Sequence, residues 1–181
     1  MRHDPTDSDA AAGVGPAARV LIVGYGNPLR SDDGVGQVVA ERLMADPRLA
    51  GAEIRAAHQL TPELAMDASR AAVMVLIDAA DGVAPGEVVV RRLARPGRRG
   101  TAEVGQAGRV EEGGPPLTHH VDPAALIALA AELWGSAPPT VMVGVGPASF
   151  DLGETLTPRV EAAVPEAVEA VVIAIADTLE G

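Results

Sequence analysis

Cysteine and lysine are both absent from this chain of 181 residues. Without cysteine there is no disulfide, no thiolate nucleophile, no Cys-ligated zinc and no thiol redox switch. Without lysine there is no Schiff base, no pyridoxal attachment and no P-loop lysine on a phosphate; all 14 basic residues are arginine. Aromatic residues supply only 2% of the chain against 48% hydrophobic residues. The core must therefore be packed from Ala, Val, Leu and Ile, which suits buried parallel strands under alanine-rich helices. Positive charge is scarce too: 14 basic against 25 acidic residues leave a net −11. That balance argues against a nucleic-acid partner, because neutralising phosphates needs a basic face. No apolar run reaches the ~18 to 20 residues of a membrane span. The N-terminal stretch carries Asp4, Asp7 and Asp9 instead of a basic segment leading into an apolar one. A cytoplasmic protein with no membrane partner is expected, and its chemistry is left to carboxylates, four histidines and hydroxyls.

What is present alternates between strand and helix patterns. Residues 1–18 mix Pro, Gly, Asp and Ala without periodicity and read as a disordered leader. Arg19 to Gly24 is a short apolar run ending in glycine, the pattern of a buried strand. After a loop from Tyr25 to Asp33, the residues Val35, Val38, Val39 and Leu43 recur at helical spacing. Ala52 to Ala57 reads as a half-exposed strand, and Thr61-Pro62-Glu63 as the start of a helix. Ala72 to Asp78 is the strongest strand pattern, apolar on both faces, and so belongs in the middle of a covered parallel sheet. Gly86 to Leu93 suggests another strand, and the segment 94–116, rich in Gly, Pro and Arg, a flexible insertion. Asp122-Pro123 opens a further helix with Asp122 as its N-cap, Thr140 to Val145 forms a buried strand, and Thr157-Pro158 caps a final helix. The order implies a single α/β domain over 19–181: a three-layer sandwich with a mostly parallel sheet covered by helices on both faces.

In such folds ligands gather beyond the carboxyl ends of the strands. Three constellations fall there. The first is Gly24-Tyr25-Gly26-Asn27-Pro28-Leu29-Arg30-Ser31-Asp32-Asp33-Gly34-Val35-Gly36. Its opening is similar to a dinucleotide fingerprint, but Leu29 replaces the third glycine, and Asp32 and Asp33 stand where a phosphate would meet the helix. Structurally, Ser31 or Asp32 would cap the helix and Asp33 favour its dipole; functionally, one of the two aspartates would be a metal ligand. The second is Asp78, a carboxylate ending the most buried strand, a costly placement unless it binds, caps or catalyses; Asp81 reads as a turn residue. The third is His119-His120, ahead of the Asp122 helix, of which at most one can join a given site. Two carboxylates and one imidazole from three loops would suit a divalent ion such as zinc or nickel.

Taken in order, the Gly24 to Gly36 loop, Leu76-Ile77-Asp78-Ala79-Ala80-Asp81, Thr118-His119-His120 before a Leu/Ala-rich helix, and Gly144 to Pro147 with Gly153 and Leu156-Thr157-Pro158 resemble the hydrogenase maturation endopeptidases. The resemblance runs from about residue 19 to the C-terminus. It implies an aspartyl-type endopeptidase that removes the C-terminal extension of the nickel-iron hydrogenase large-subunit precursor after nickel insertion. The family's three metal-contacting positions fall on Asp33, Asp78 and His119, with Asp33 and Asp78 also the catalytic pair. Nickel would come with the substrate, zinc or cadmium standing in for it in vitro, and the enzyme would act as a monomer. Two other readings stay open: a Rossmann-like nucleotide-binding module, and a metal-independent peptidase of the same fold with another substrate.

Overall fold

The computed structural model describes residues 19–94 and 121–180. The leader 1–18, nearly all of the insertion at 94–116, and His119 and His120 lie outside the described residues.

Five strands form one sheet in the order β2-β1-β3-β5-β4: β1 Val20–Tyr25, β2 Glu53–Ala57, β3 Val73–Ala79, β4 Val88–Leu93 and β5 Thr140–Val145. β1, β2, β3 and β5 pair in parallel. β4 pairs antiparallel with β5 and makes the sheet mostly rather than wholly parallel. The stretch from Ala80 to Glu87 is too short for the crossover that a parallel partner requires, so the chain turns back at once. Within it Gly86 N–H donates to the Gly146 carbonyl at 2.7 Å and Gly146 N–H to the Glu87 carbonyl at 2.9 Å, which locks the turn onto the end of β5.

Alternation along the strands builds two cores. Val20, Ile22, Val73, Val75 and Ile77 face α1 (Val35–Met44) and α4 (Pro158–Glu180), whose Val39, Leu43, Val160, Val164 and Val171 are buried against them. Leu21, Val23, Met74 and Leu76 face α2 (Leu64–Arg70) and α3 (Pro123–Trp134). β1 and β3 are therefore apolar on both sides, as a central parallel strand must be, and the three-layer expectation is met. No helix among the described residues is long and apolar enough to cross a membrane.

One contact sets the spacing of everything above the sheet. A Cβ on Gly24 would stand 1.9 Å from the Gly36 carbonyl oxygen, and a Cβ on Gly36 2.3 Å from the Ile77 carbonyl oxygen. The end of β1, the first turn of α1 and the end of β3 thus meet backbone against backbone. Gly24→Ala should cost at least about 2 kcal/mol, since backbone rather than a pliable side chain has to give way. Urea unfolding measures it, and an unchanged midpoint would show that α1 can slide on the sheet.

Candidate active site

The loop after β1 does not cap α1 as its sequence suggests. A 3₁₀ turn, Ser31–Gly34, precedes the helix, and neither Ser31 nor Asp32 accepts a capping hydrogen bond. Asp32 is fully buried and serves the other end of the chain instead. Its Oδ2 accepts from Ala148 N–H at 2.8 Å, Ser149 N–H at 3.0 Å and the Thr157 hydroxyl at 2.9 Å, while Oδ1 accepts from Thr157 N–H at 2.7 Å. The Thr157 hydroxyl is thereby spent on Asp32 at the mouth of α4. Burial would raise the Asp32 pKa, but these hydrogen bonds outweigh it and hold the carboxyl below its ordinary value. Asp32 is a structural anion whose lone pairs are occupied by the protein.

That leaves Asp33 for the site. Its Oδ2 accepts from Asn27 N–H at 3.0 Å, and the Asn27 side-chain oxygen accepts in turn from Leu29 N–H at 3.0 Å. The chain's single asparagine therefore holds the loop through its side chain. Gly26, with φ +132°, has its carbonyl tied to the Gln37 side-chain amide at 2.5 Å. A Cβ on Gly26 would fall 1.8 Å from the Asp33 carbonyl oxygen and 3.8 Å from Asp78 Oδ1. Only a glycine lets the loop pass between the two aspartates in this conformation.

Asp78 ends β3, half-buried, on the face that carries Met74 and Leu76. Its Oδ1 accepts from Ala79 N–H at 2.8 Å, and the Tyr25 hydroxyl hydrogen-bonds to it. Burial pushes its pKa up to about 7; the negative charge of Asp33 adds to that, and the two hydrogen bonds only partly offset it. The Tyr25 phenol is driven far above its ordinary value, first by burial and then by the charge of Asp78. A carboxyl titrating near neutrality can take up a proton and return it.

Asp33 and Asp78 line one cavity of about 320 Å³ at the carboxyl edge of the sheet, with Tyr25, Gly26, His58 and Asp122. The two aspartates singled out from the sequence are thus brought together. Among the described residues no group of three or more His, Cys, Asp or Glu could hold a metal ion. His119, the third position that the resemblance implies, lies outside them. Asp122, the expected N-cap, does cap α3, accepting from Ala125 N–H at 2.7 Å. Asp81 is exposed in the turn after β3. Tyr25 and His58 line the cavity beside the two aspartates. Each sits at or just past a strand's carboxyl end, the criterion that singles out Asp78.

No family model matches the chain, and no curated protein matches it in sequence. Solved structures do. HybD, the hydrogenase maturating endopeptidase from E. coli, superimposes with a TM-score of 0.66 at 25% identity, covering 88% of this chain and 93% of its own. The NiFe hydrogenase maturation protease HybD from Thermococcus kodakarensis gives 0.54 at 26%, covering 84% and 96%. The hydrogenase 2 maturation peptidase from Thaumarchaeota archaeon SCGC_AB-539-E09 gives 0.61 at 24%, covering 87% and 98%. In fold and chain length, the chain is similar to the hydrogenase maturation endopeptidases.

Proposed function

We propose that the chain is an aspartyl-type endopeptidase that removes the C-terminal extension of a nickel-iron hydrogenase large-subunit precursor once nickel has been inserted. The observation that carries this reading is the meeting of Asp33 and Asp78 in one cavity, above a sheet that superimposes on those endopeptidases. Nickel belongs to the substrate here. Asp33, Asp78 and His119 complete its coordination shell, so only loaded precursor is held in the cleavable pose. These are hard, exchangeable donors, and a chain without cysteine has no thiolate with which to strip the metal from its substrate. The bound metal supplies Lewis acidity toward the scissile carbonyl or a water molecule. The Asp78 carboxylate accepts the proton released from the attacking water and passes it to the leaving amine, while the Tyr25 hydroxyl orients the carboxyl.

A nucleotide-binding role fits poorly, because the loop that would cradle phosphates is held by Asp33, with the buried anion Asp32 beside it. The reading is tested by mixing the purified protein with nickel-loaded and nickel-free precursor and following the precursor's mass. Loss of the tail from the loaded form alone is expected. Cleavage of both forms in the presence of a chelator would favour a metal-independent carboxylate pair instead, and thermal stabilisation by nucleotides with no cleavage would overturn the peptidase reading.

A further inference from the structure

His58 directly follows β2, whose last residue, Ala57, pairs with Tyr25 at the end of β1. It is exposed, and it lines the cavity that Asp33 and Asp78 share. Two observations set it apart from the aspartates. Asp33, Asp78 and His58 do not form a group that could hold a metal ion. Apart from burial, the groups that shift Asp78 are Tyr25, the Ala79 N–H and Asp33, and His58 is not among them. The imidazole therefore stands away from the carboxyls with the cavity between. Few side-chain donors remain on this wall. As carboxylates, Asp33, Asp78 and Asp122 only accept, and the Tyr25 hydroxyl is committed to Asp78. Leu60, Val121 and Pro123 offer apolar side chains. Among the described residues, the side-chain donors left on the cavity wall are His58 and its neighbour Gln59.

We infer that His58 is a further catalytic residue, whose imidazole N–H donates a hydrogen bond to the oxygen of the scissile carbonyl as that oxygen becomes anionic. Water attacks the carbonyl carbon while Asp78 takes its proton, and the π electron pair moves onto the oxygen, where His58 meets it without giving up a proton. When the pair returns, the C–N bond breaks and the proton on Asp78 passes to the amine. An imidazole keeps an N–H whether neutral or charged, so the role requires no change in its protonation. A wall with three carboxyls repels a developing anion, and a donor aimed at that anion acts more strongly in the transition state than on the resting amide. Gln59 offers only a neutral amide, whereas an imidazolium makes the bond charge-assisted. With His58 on the carbonyl oxygen, the substrate's nickel is left to activate the water. The inference rests on the peptidase reading for the reaction, and on the donors of the cavity wall for the residue.

The full chain is tested on nickel-loaded precursor as wild type, His58→Ala, His58→Gln and Gln59→Ala, with kcat and KM followed separately. His58→Ala should lower kcat by about 10- to 100-fold with KM little changed; loss of a buried oxyanion donor costs more, and His58 is exposed. His58→Gln keeps an N–H and should recover several-fold of that loss, while Gln59→Ala stays within a few-fold of wild type. Because the position is exposed, the melting temperature should not move. An unchanged kcat for His58→Ala, an effect confined to KM, His58→Gln no faster than His58→Ala, or a greater loss at Gln59→Ala overturns the inference. Should wild type cleave no precursor, the peptidase reading fails by itself. Calorimetry then decides the residue, with a hexapeptide of the cleavage-site sequence carrying a tetrahedral phosphinate in place of the scissile amide, and with the same peptide as the amide. Phosphinate binding that His58→Ala weakens at least about 10-fold, with amide binding unchanged, upholds the donor. Any other pattern, absent binding included, overturns it.

Discussion

Asp32→Ala is expected to destabilise the fold by about 3 to 5 kcal/mol, because it removes a buried charge and strands four donors that have no other acceptor. For a domain of this size that lowers the melting temperature on the order of 10 °C. The loop between β5 and α4 depends on this one carboxylate. Around it, Ser31 N–H donates to the Gly153 carbonyl at 2.9 Å and Gly153 N–H to the Leu29 carbonyl at 3.1 Å, so the two loops are stitched together on either side of Asp32. Ser31 takes φ 45° to make the turn, a conformation that only such anchoring sustains. Asp32→Asn should rescue little, since its amide would point a donor at donors. The pH dependence has a definite sign. The folded pKa of Asp32 lies below its ordinary 3.8, so the stability it contributes is complete above about pH 4 and is lost as pH falls through the lower folded value. Calorimetry across pH 2 to 7 measures both; a melting temperature within about 2 °C of wild type would mean that the loop is held by packing instead.

Asp78→Asn should do the reverse: processing of loaded precursor falls by about 10² to 10⁴ or more, while the fold gains stability at alkaline pH. In wild type the folded carboxyl titrates near 7 and the unfolded one near 3.8. Between those values the unfolded state releases a proton that the folded state keeps, so wild-type stability declines as pH rises from about 4 to about 7 and stays lower above. An amide does not titrate, and its variant should lack that decline. Melting curves at pH 5 and pH 8 for both proteins check the stability half, and precursor processing checks the other. Full processing by the variant would remove Asp78 from the chemistry. A wild-type melting temperature that rises between pH 5 and pH 8, beyond what the variant shows, would mean that the carboxylate is stabilised, not penalised, where it lies.

Much of this was readable beforehand, for local reasons. The run from Val73 to Ile77 is apolar at every position, and such a run can only be a strand buried on both faces; the carboxylate that follows it then stands at the sheet's carboxyl edge. Asp122-Pro123 is a cap followed by a residue with no N–H to satisfy, and it starts a helix where expected. The boundaries moved by a residue or two, as where the pattern from Gly86 became a strand only at Val88 because Gly86 and Glu87 close a turn. The sequence leaves Asp32 open between a helix cap, shared with Ser31, and a metal ligand, and the structure makes it neither, because its partners lie 116 to 125 positions further along the chain. No local pattern announces an acceptor for a loop that distant. The reversed direction of β4 and the neighbourhood of Tyr25 and Asp78 escaped for the same reason.

The amino-acid sequence by itself determined which chemistry this protein can perform: lacking cysteine and lysine, it works with carboxylates, hydroxyls and imidazoles. It also determined the layers of the fold, since periods of two and 3.6 residues are properties of consecutive side chains. Only the tertiary structure decided what Asp32 does, holding the loop before α4, while its neighbour Asp33 faces the cavity. It alone set Asp78 close enough to Asp33 for one charge to disturb the other. Both decisions depend on segments far apart in the chain meeting above the sheet, and the glycine contacts at Gly24 and Gly36 fix how closely they can come.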